Sequence, residues 1–107
     1  MKVIMTVAMV LLMLLPVAAE DPKPNKPKFD PVAQAHALRE AKIMASRGRC
    51  AHYLGCAPGA RFSGVGMSTN PNPRTCEPWR YGSSARKLIA DAIVYRNGRY
   101  YRSRHWR

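Results

Sequence analysis

The spacing of apolar residues changes character several times along the chain. Val3 to Leu15 is a continuous apolar run that admits only Thr6, with Lys2 before it and Pro16-Val17-Ala18-Ala19 after it. Glu20 to Asp30 reads EDPKPNKPKFD and has no apolar period at all. From Pro31 to Arg47 apolar residues recur at helical spacing. At 100° per residue Ala37, Leu38, Ala41, Met44 and Ala45 share one arc, while Arg39, Glu40, Lys42, Ser46 and Arg47 fall mostly outside it. Asp30 is a natural N-cap, Pro31 fits the first helical position, and Gly48 is a natural stop.

Residues 48–83 are punctuated by Gly and Pro, which leaves room for short strands only, such as one around Arg61 to Met67. The C-terminal part alternates differently. Leu88 to Arg96 and Arg99 to Trp106 flank Asn97-Gly98, the pair suited to a two-residue type I′ turn, because both turn positions need positive φ. That turn predicts Tyr95 opposite Tyr100, Val94 opposite Tyr101, Asp91 opposite Arg104 and Ile89 opposite Trp106. One face then carries Ile89, Ile93, Tyr95, Tyr100 and Trp106. The other carries Ala90, Ala92, Val94 and Tyr101, small enough to receive the Ala-rich helix. Ser84 could alternatively cap a short helix over residues 84–90. The expected fold is α+β: one Ala-rich helix on a small antiparallel sheet that ends in a C-terminal β-hairpin.

The first segment reads as an address. A positive start, a short apolar run and small residues at 17–19 form the layout of a secretory signal peptide, and the run falls short of a comfortable membrane span. The expected organisation is a signal peptide over 1–19, a Pro/Lys-rich spacer over 20–30 and a small cationic, disulfide-bonded domain over 31–107. No transmembrane segment is expected after cleavage, and the expected location is secreted or periplasmic. Cys50, Cys56 and Cys76 are therefore disulfide candidates, with three possible pairings and one thiol left over. Closing the longer loops would stabilise by about 3 kcal/mol. Cys50-x-His52-x3-Cys56 matches no standard zinc spacing. No metal, no cofactor and no catalytic residue is assigned, because no spacing sets a histidine beside a thiol and carboxylates are scarce.

Charge sharpens the picture. The 107 residues hold 18 Lys+Arg against 6 Asp+Glu, a formal +12. Such an excess attracts polyanions through solution. Outside the inner membrane these are acidic polysaccharides, anionic lipid headgroups and extracellular DNA. The binding candidates are Arg96, Arg99, Arg102, Arg104 and Arg107, with Tyr100 and Trp106 as interleaved stacking platforms. No specific protein partner is inferable. The expected function is a cationic binding module for anionic envelope or extracellular polymers, and not an enzyme.

Three segments resemble the CAP superfamily of cysteine-rich secretory and pathogenesis-related proteins. Ala33-Gln-Ala-His-Ala-Leu, Met44-Ala-Ser-Arg-Gly and His52-Tyr are similar to that family's first helix. Gly64-Val-Gly-Met-Ser stands where its Gly-Glu-Asn-Ile segment would follow, and Ala92-Ile-Val-Tyr-Arg-Asn-Gly-Arg-Tyr-Tyr resembles its closing strands. The resemblance implies an α+β or α-β-α scaffold in a secreted protein. Val65 replaces the family's Glu, and its second His has no match, so only His52 would carry over. The competing functions are a reduced CAP-like or Cys/His hydrolase using His52, and a membrane-active antimicrobial protein.

Overall fold

The structure is a computed structural model that describes residues 28–107. The expected signal peptide and the spacer up to residue 27 lie outside the described residues. The chain forms helix α1 (Pro31–Arg47), strands β1 (Phe62–Ser68), β2 (Leu88–Arg96) and β3 (Arg99–Trp106), and one 3-10 turn over Pro78–Tyr81. The fold class is α+β, with the C-terminal strands as a hairpin.

The helix boundaries follow from their caps. Asp30 is extended, and its side chain accepts from the Val32 amide at 3.2 Å. Pro31 occupies the first turn, where its missing N–H costs nothing. Gly48 ends the helix at φ 65°, ψ 27°, with its N–H donated to the Met44 carbonyl. Arg47 then stacks over the Tyr53 ring at 5.1 Å and fixes the direction in which the chain leaves.

All three strands are antiparallel, in the order β1-β3-β2. The hairpin turns at Asn97 (φ 51°) and Gly98 (φ 79°), with Arg96 opposite Arg99. From there Tyr95 faces Tyr100, Val94 faces Tyr101 and Asp91 faces Arg104. The expected pairing of Ile89 with Trp106 does not occur. A β-bulge between Leu88 and Ala90 sets Leu88 opposite Trp106 and turns Ile89 to the helix side. The bulge buries Ile89 among Ala33, Ala37, Ala57, Ala90 and Ala92, a cluster of methyl groups that lacked a large residue. Residues 84–87 form no helix; they lead directly into β2.

Helix α1 lies on β2 and β3. Its start is tied to β2 by the Asp30 amide on the Ile89 carbonyl, and its end packs Ala41, Met44 and Ala45 on Tyr101, with Val94, Val65 and Tyr53 around them. The helix therefore runs in the direction of β2. Small side chains let it sit close to the sheet, and Met44, Ile89 and Tyr101 are the large side chains buried there. Two helix positions differ from the expected arc. Leu38 lies at the rim and is half-exposed, whereas Glu40 is fully buried.

The opposite sheet face is crossed by residues 72–81, which act as a strap. Added methyl groups at Gly64 and Gly66 would overlap the Cys76 and Arg74 carbonyls, so the strap lies directly on the β1 backbone. Pro73 and Pro78 are the strap's own buried side chains. Trp106 anchors its far end, with Phe62 at 5.7 Å and Trp79 at 6.4 Å, and Phe62 in turn meets Tyr81 at 6.0 Å.

Candidate functional site

The described residues carry 15 Lys+Arg and 4 Asp+Glu. Three of those four carboxylates make structural bonds, two of them inside the fold. Asp30 caps α1. Asp91 accepts from Arg102 Nε at 2.8 Å and Nη2 at 2.6 Å, a two-pronged pair. Arg102 also donates to the Pro73 carbonyl at 3.1 Å and to Asn72 Oδ1, so the same guanidinium holds the start of the strap. The third is Glu40, which sits at the bottom of the helix–sheet interface.

Glu40 belongs to a buried chain of hydrogen bonds. The Ala57 amide donates to His105 Nδ1 at 3.1 Å, which places the ring proton on Nε2. His105 Nε2 donates to Ser103 Oγ at 2.9 Å, and Ser103 Oγ donates to Glu40 Oε1 at 2.7 Å. The Leu54 amide satisfies Glu40 Oε2 at 2.9 Å. Burial raises the Glu40 pKa, but bonds from His105, Leu54 and Ser103 outweigh it and hold the carboxyl below its ordinary value. The residue types match a nucleophilic triad, but the polarity does not. The Ser103 proton points at the carboxylate rather than at the imidazole, and all three side chains are closed to solvent. The cluster joins helix to sheet; it does not attack a substrate. Ser103 and Glu40 were not singled out from sequence. The hairpin register held the signal, because it sets Ser103 and His105 on the same face as Tyr101, toward the helix.

With Glu40 and Asp91 engaged inside the fold, the outer surface is cationic. One cationic cluster is assembled from separate segments. The Arg61 amide bonds the Trp106 carbonyl, the Arg86 and Lys87 amides bond the Arg107 carbonyl, and the Arg107 amide returns to Lys87. These bonds bring Arg61, Arg86, Lys87 and Arg107 to one end of the sheet. The 3-10 turn adds Arg80 between the exposed rings of Trp79 and Tyr81. Arg61 Nη1 is steadied by Ser84 Oγ at 2.9 Å, and Arg86 Nη1 by the Ala85 carbonyl at 2.9 Å.

The residues singled out from sequence are distributed unevenly. Arg107 belongs to this basic end. Arg96 and Arg99 lie exposed at the hairpin tip, where Arg99 reaches Met67 Sδ at 3.8 Å. Tyr100 stacks on Tyr95 at 4.6 Å. Arg102 and Trp106 are buried and engaged within the fold. Arg104 is partly buried with its Nε 3.7 Å from Asp91; burial, with Arg102 beside it, holds its pKa below the ordinary value.

Beside the basic end lies a shallow hollow of about 280 Å³, lined by His52, Phe62, Ser63, Cys76 and Tyr81. Ser63 Oγ meets His52 Nδ1 at 3.3 Å, and Cys76 Sγ meets the Tyr81 hydroxyl at 3.5 Å. Cys50, Cys56 and Cys76 are all exposed free thiols in this structure. Among the described residues no group of three or more His, Cys, Asp or Glu side chains is placed to hold a metal ion, and no helix is long and apolar enough to cross a membrane. No family model, curated protein or solved structure matches this chain.

Proposed function

We propose that this chain is a cationic binding module for anionic polymers of the cell envelope or extracellular space, acting after export. The observation that carries this reading is the commitment of Glu40 and Asp91 to bonds within the fold, which leaves 15 Lys+Arg facing few free carboxylates among the described residues. Arg61, Arg80, Arg86, Lys87 and Arg107 supply the positioning charges, and Trp79 and Tyr81 offer flat apolar rings beside them. Arg96 and Arg99 form a second contact at the hairpin tip. Sulfate, phosphate and carboxylate groups suit guanidinium forks equally, so the specificity is for charge density rather than for one monomer.

The test is retention on heparin at rising NaCl. The triple variant Arg80→Ser/Lys87→Ser/Arg107→Ser elutes at clearly lower salt than the unmodified protein, with the salt slope reduced by roughly one per lost contact. Arg96→Ser/Arg99→Ser gives a smaller shift. Co-elution of both variants with the unmodified protein would reject the proposal.

A further inference from the structure

Strand β2 is an edge strand, and only its first half is closed. The Asp30 amide caps the Ile89 carbonyl at 3.0 Å. The Gln34 side-chain amide then donates to the Asp91 carbonyl at 2.9 Å and accepts from the Asp91 amide at 2.8 Å. That pair of bonds is what a residue of a neighbouring strand would supply. Arg96 and Arg99 flank a two-residue turn and exchange bonds, so Tyr95, Ile93 and Asp91 point their amides and carbonyls away from β3. Gln34 satisfies Asp91. Among the described residues nothing bonds the main chain of Ile93 or Tyr95 on that side.

The side chains at this open stretch are apolar and exposed. Ile93 is 40% and Tyr95 60% exposed. Leu38, one helical turn beyond Gln34 on the same side of α1, is 38% exposed. Lys42, a further turn along the helix, and Arg96, the residue after Tyr95, are exposed cations. The geometry points to the Ile93–Tyr95 edge of β2 as a strand-addition site for an extended acidic peptide segment. Main-chain bonds to Ile93 and Tyr95 provide the register, alternate apolar side chains rest on Ile93 and Tyr95 on the strap face, and the intervening acidic residues lie on the helix face, toward Lys42 and Arg96. A second copy of this chain would bring two strongly cationic bodies together. The chain's own residues 20–27 contain Pro22, Pro24 and Pro27, which have no amide to donate.

The experiment uses a peptide of about eight residues that alternates Val and Glu. Its control is the same peptide with the amides of one edge N-methylated, which keeps charge and side chains but removes the donors. Amide hydrogen exchange and chemical shifts are followed in the folded protein. The unmodified peptide protects the Ile93 and Tyr95 amides and binds about ten-fold more tightly than its methylated form. Ile93→Asp weakens that binding while leaving the hairpin amide pattern intact. Equal binding of the two peptides, or no binding, overturns the proposal. So does protection confined to Ser63, Val65 and Met67 on β1. Concentration-dependent protection of Ile93 and Tyr95 without peptide would assign the edge to a second copy and overturn the acidic-peptide assignment.

Discussion

Ser103 Oγ lies 2.7 Å from Glu40 Oε1, and neither side chain reaches water. The contact joins the middle of α1 to the central strand, and His105 Nε2 fills the other side of the hydroxyl at 2.9 Å. A polar group buried this way is costly to strand. Ser103→Ala should lower stability by about 1–3 kcal/mol, the cost of an unmet buried bond. Glu40→Ala should cost about 2–4 kcal/mol, since it orphans Ser103 and the Leu54 amide together. Urea unfolding with a common slope checks both.

Acid should act through the same carboxylate. Its folded pKa lies below the ordinary value of 4.5, so its contribution is present above that pH and fades as the pH falls below it. Stability therefore declines below about pH 4.5, and Glu40→Gln flattens that decline. Unfolding free energies measured between about pH 3 and 7 decide the point.

Asp91 and Arg102 form an internal ion pair on the opposite sheet face. Asp91→Ala leaves Arg102 without its carboxylate at a site only 10% exposed and costs about 3 kcal/mol. The strap should loosen with it, because Arg102 also holds Asn72 and Pro73. Limited proteolysis within residues 69–76 should accelerate more than cleavage elsewhere.

Gly64 and Gly66 carry the strap without side chains. Gly66→Ala should destabilise by about 2–3 kcal/mol, and Gly64→Ala by somewhat less, because each new methyl meets a main-chain carbonyl rather than a movable side chain. Thermal unfolding followed by tryptophan fluorescence reports the change, since Trp79 leaves Trp106 when the strap lifts.

The thiols should react at different rates. Partial burial, the nearby Cys76 and the Glu40 carboxylate raise the Cys50 pKa. In the reduced protein Cys50 should therefore alkylate more slowly than Cys56 near pH 8, as timed trapping with mass spectrometry would show. We further propose that export joins two of the three cysteines. Intact mass with and without reductant tests that pairing, and three free thiols in the exported protein would refute it.

The helix, its two caps and the hairpin turn were legible in the sequence because each depends on neighbours a few residues apart. Asp30, Gly48, Asn97 and Gly98 do their work locally. The misplaced residues all depend on distant partners. Glu40 looks like a surface residue until Ser103 and His105 arrive from sixty residues away. Ile89 leaves its expected register because the Ala-rich interface needs bulk. Arg102 and Trp106 resemble free binding groups in an Arg- and aromatic-rich tail, yet the strap that buries them is a Pro-rich stretch with no period. The basic end was invisible for the same reason: Arg61, Lys87 and Arg107 meet only through strand-end bonding.

The order of the sheet sets a schedule for folding. The middle strand is the last to be made, so β1 and β2 have no mutual partner until residues 99–106 emerge. Glu40 and the strap likewise wait for Ser103, His105 and Trp106.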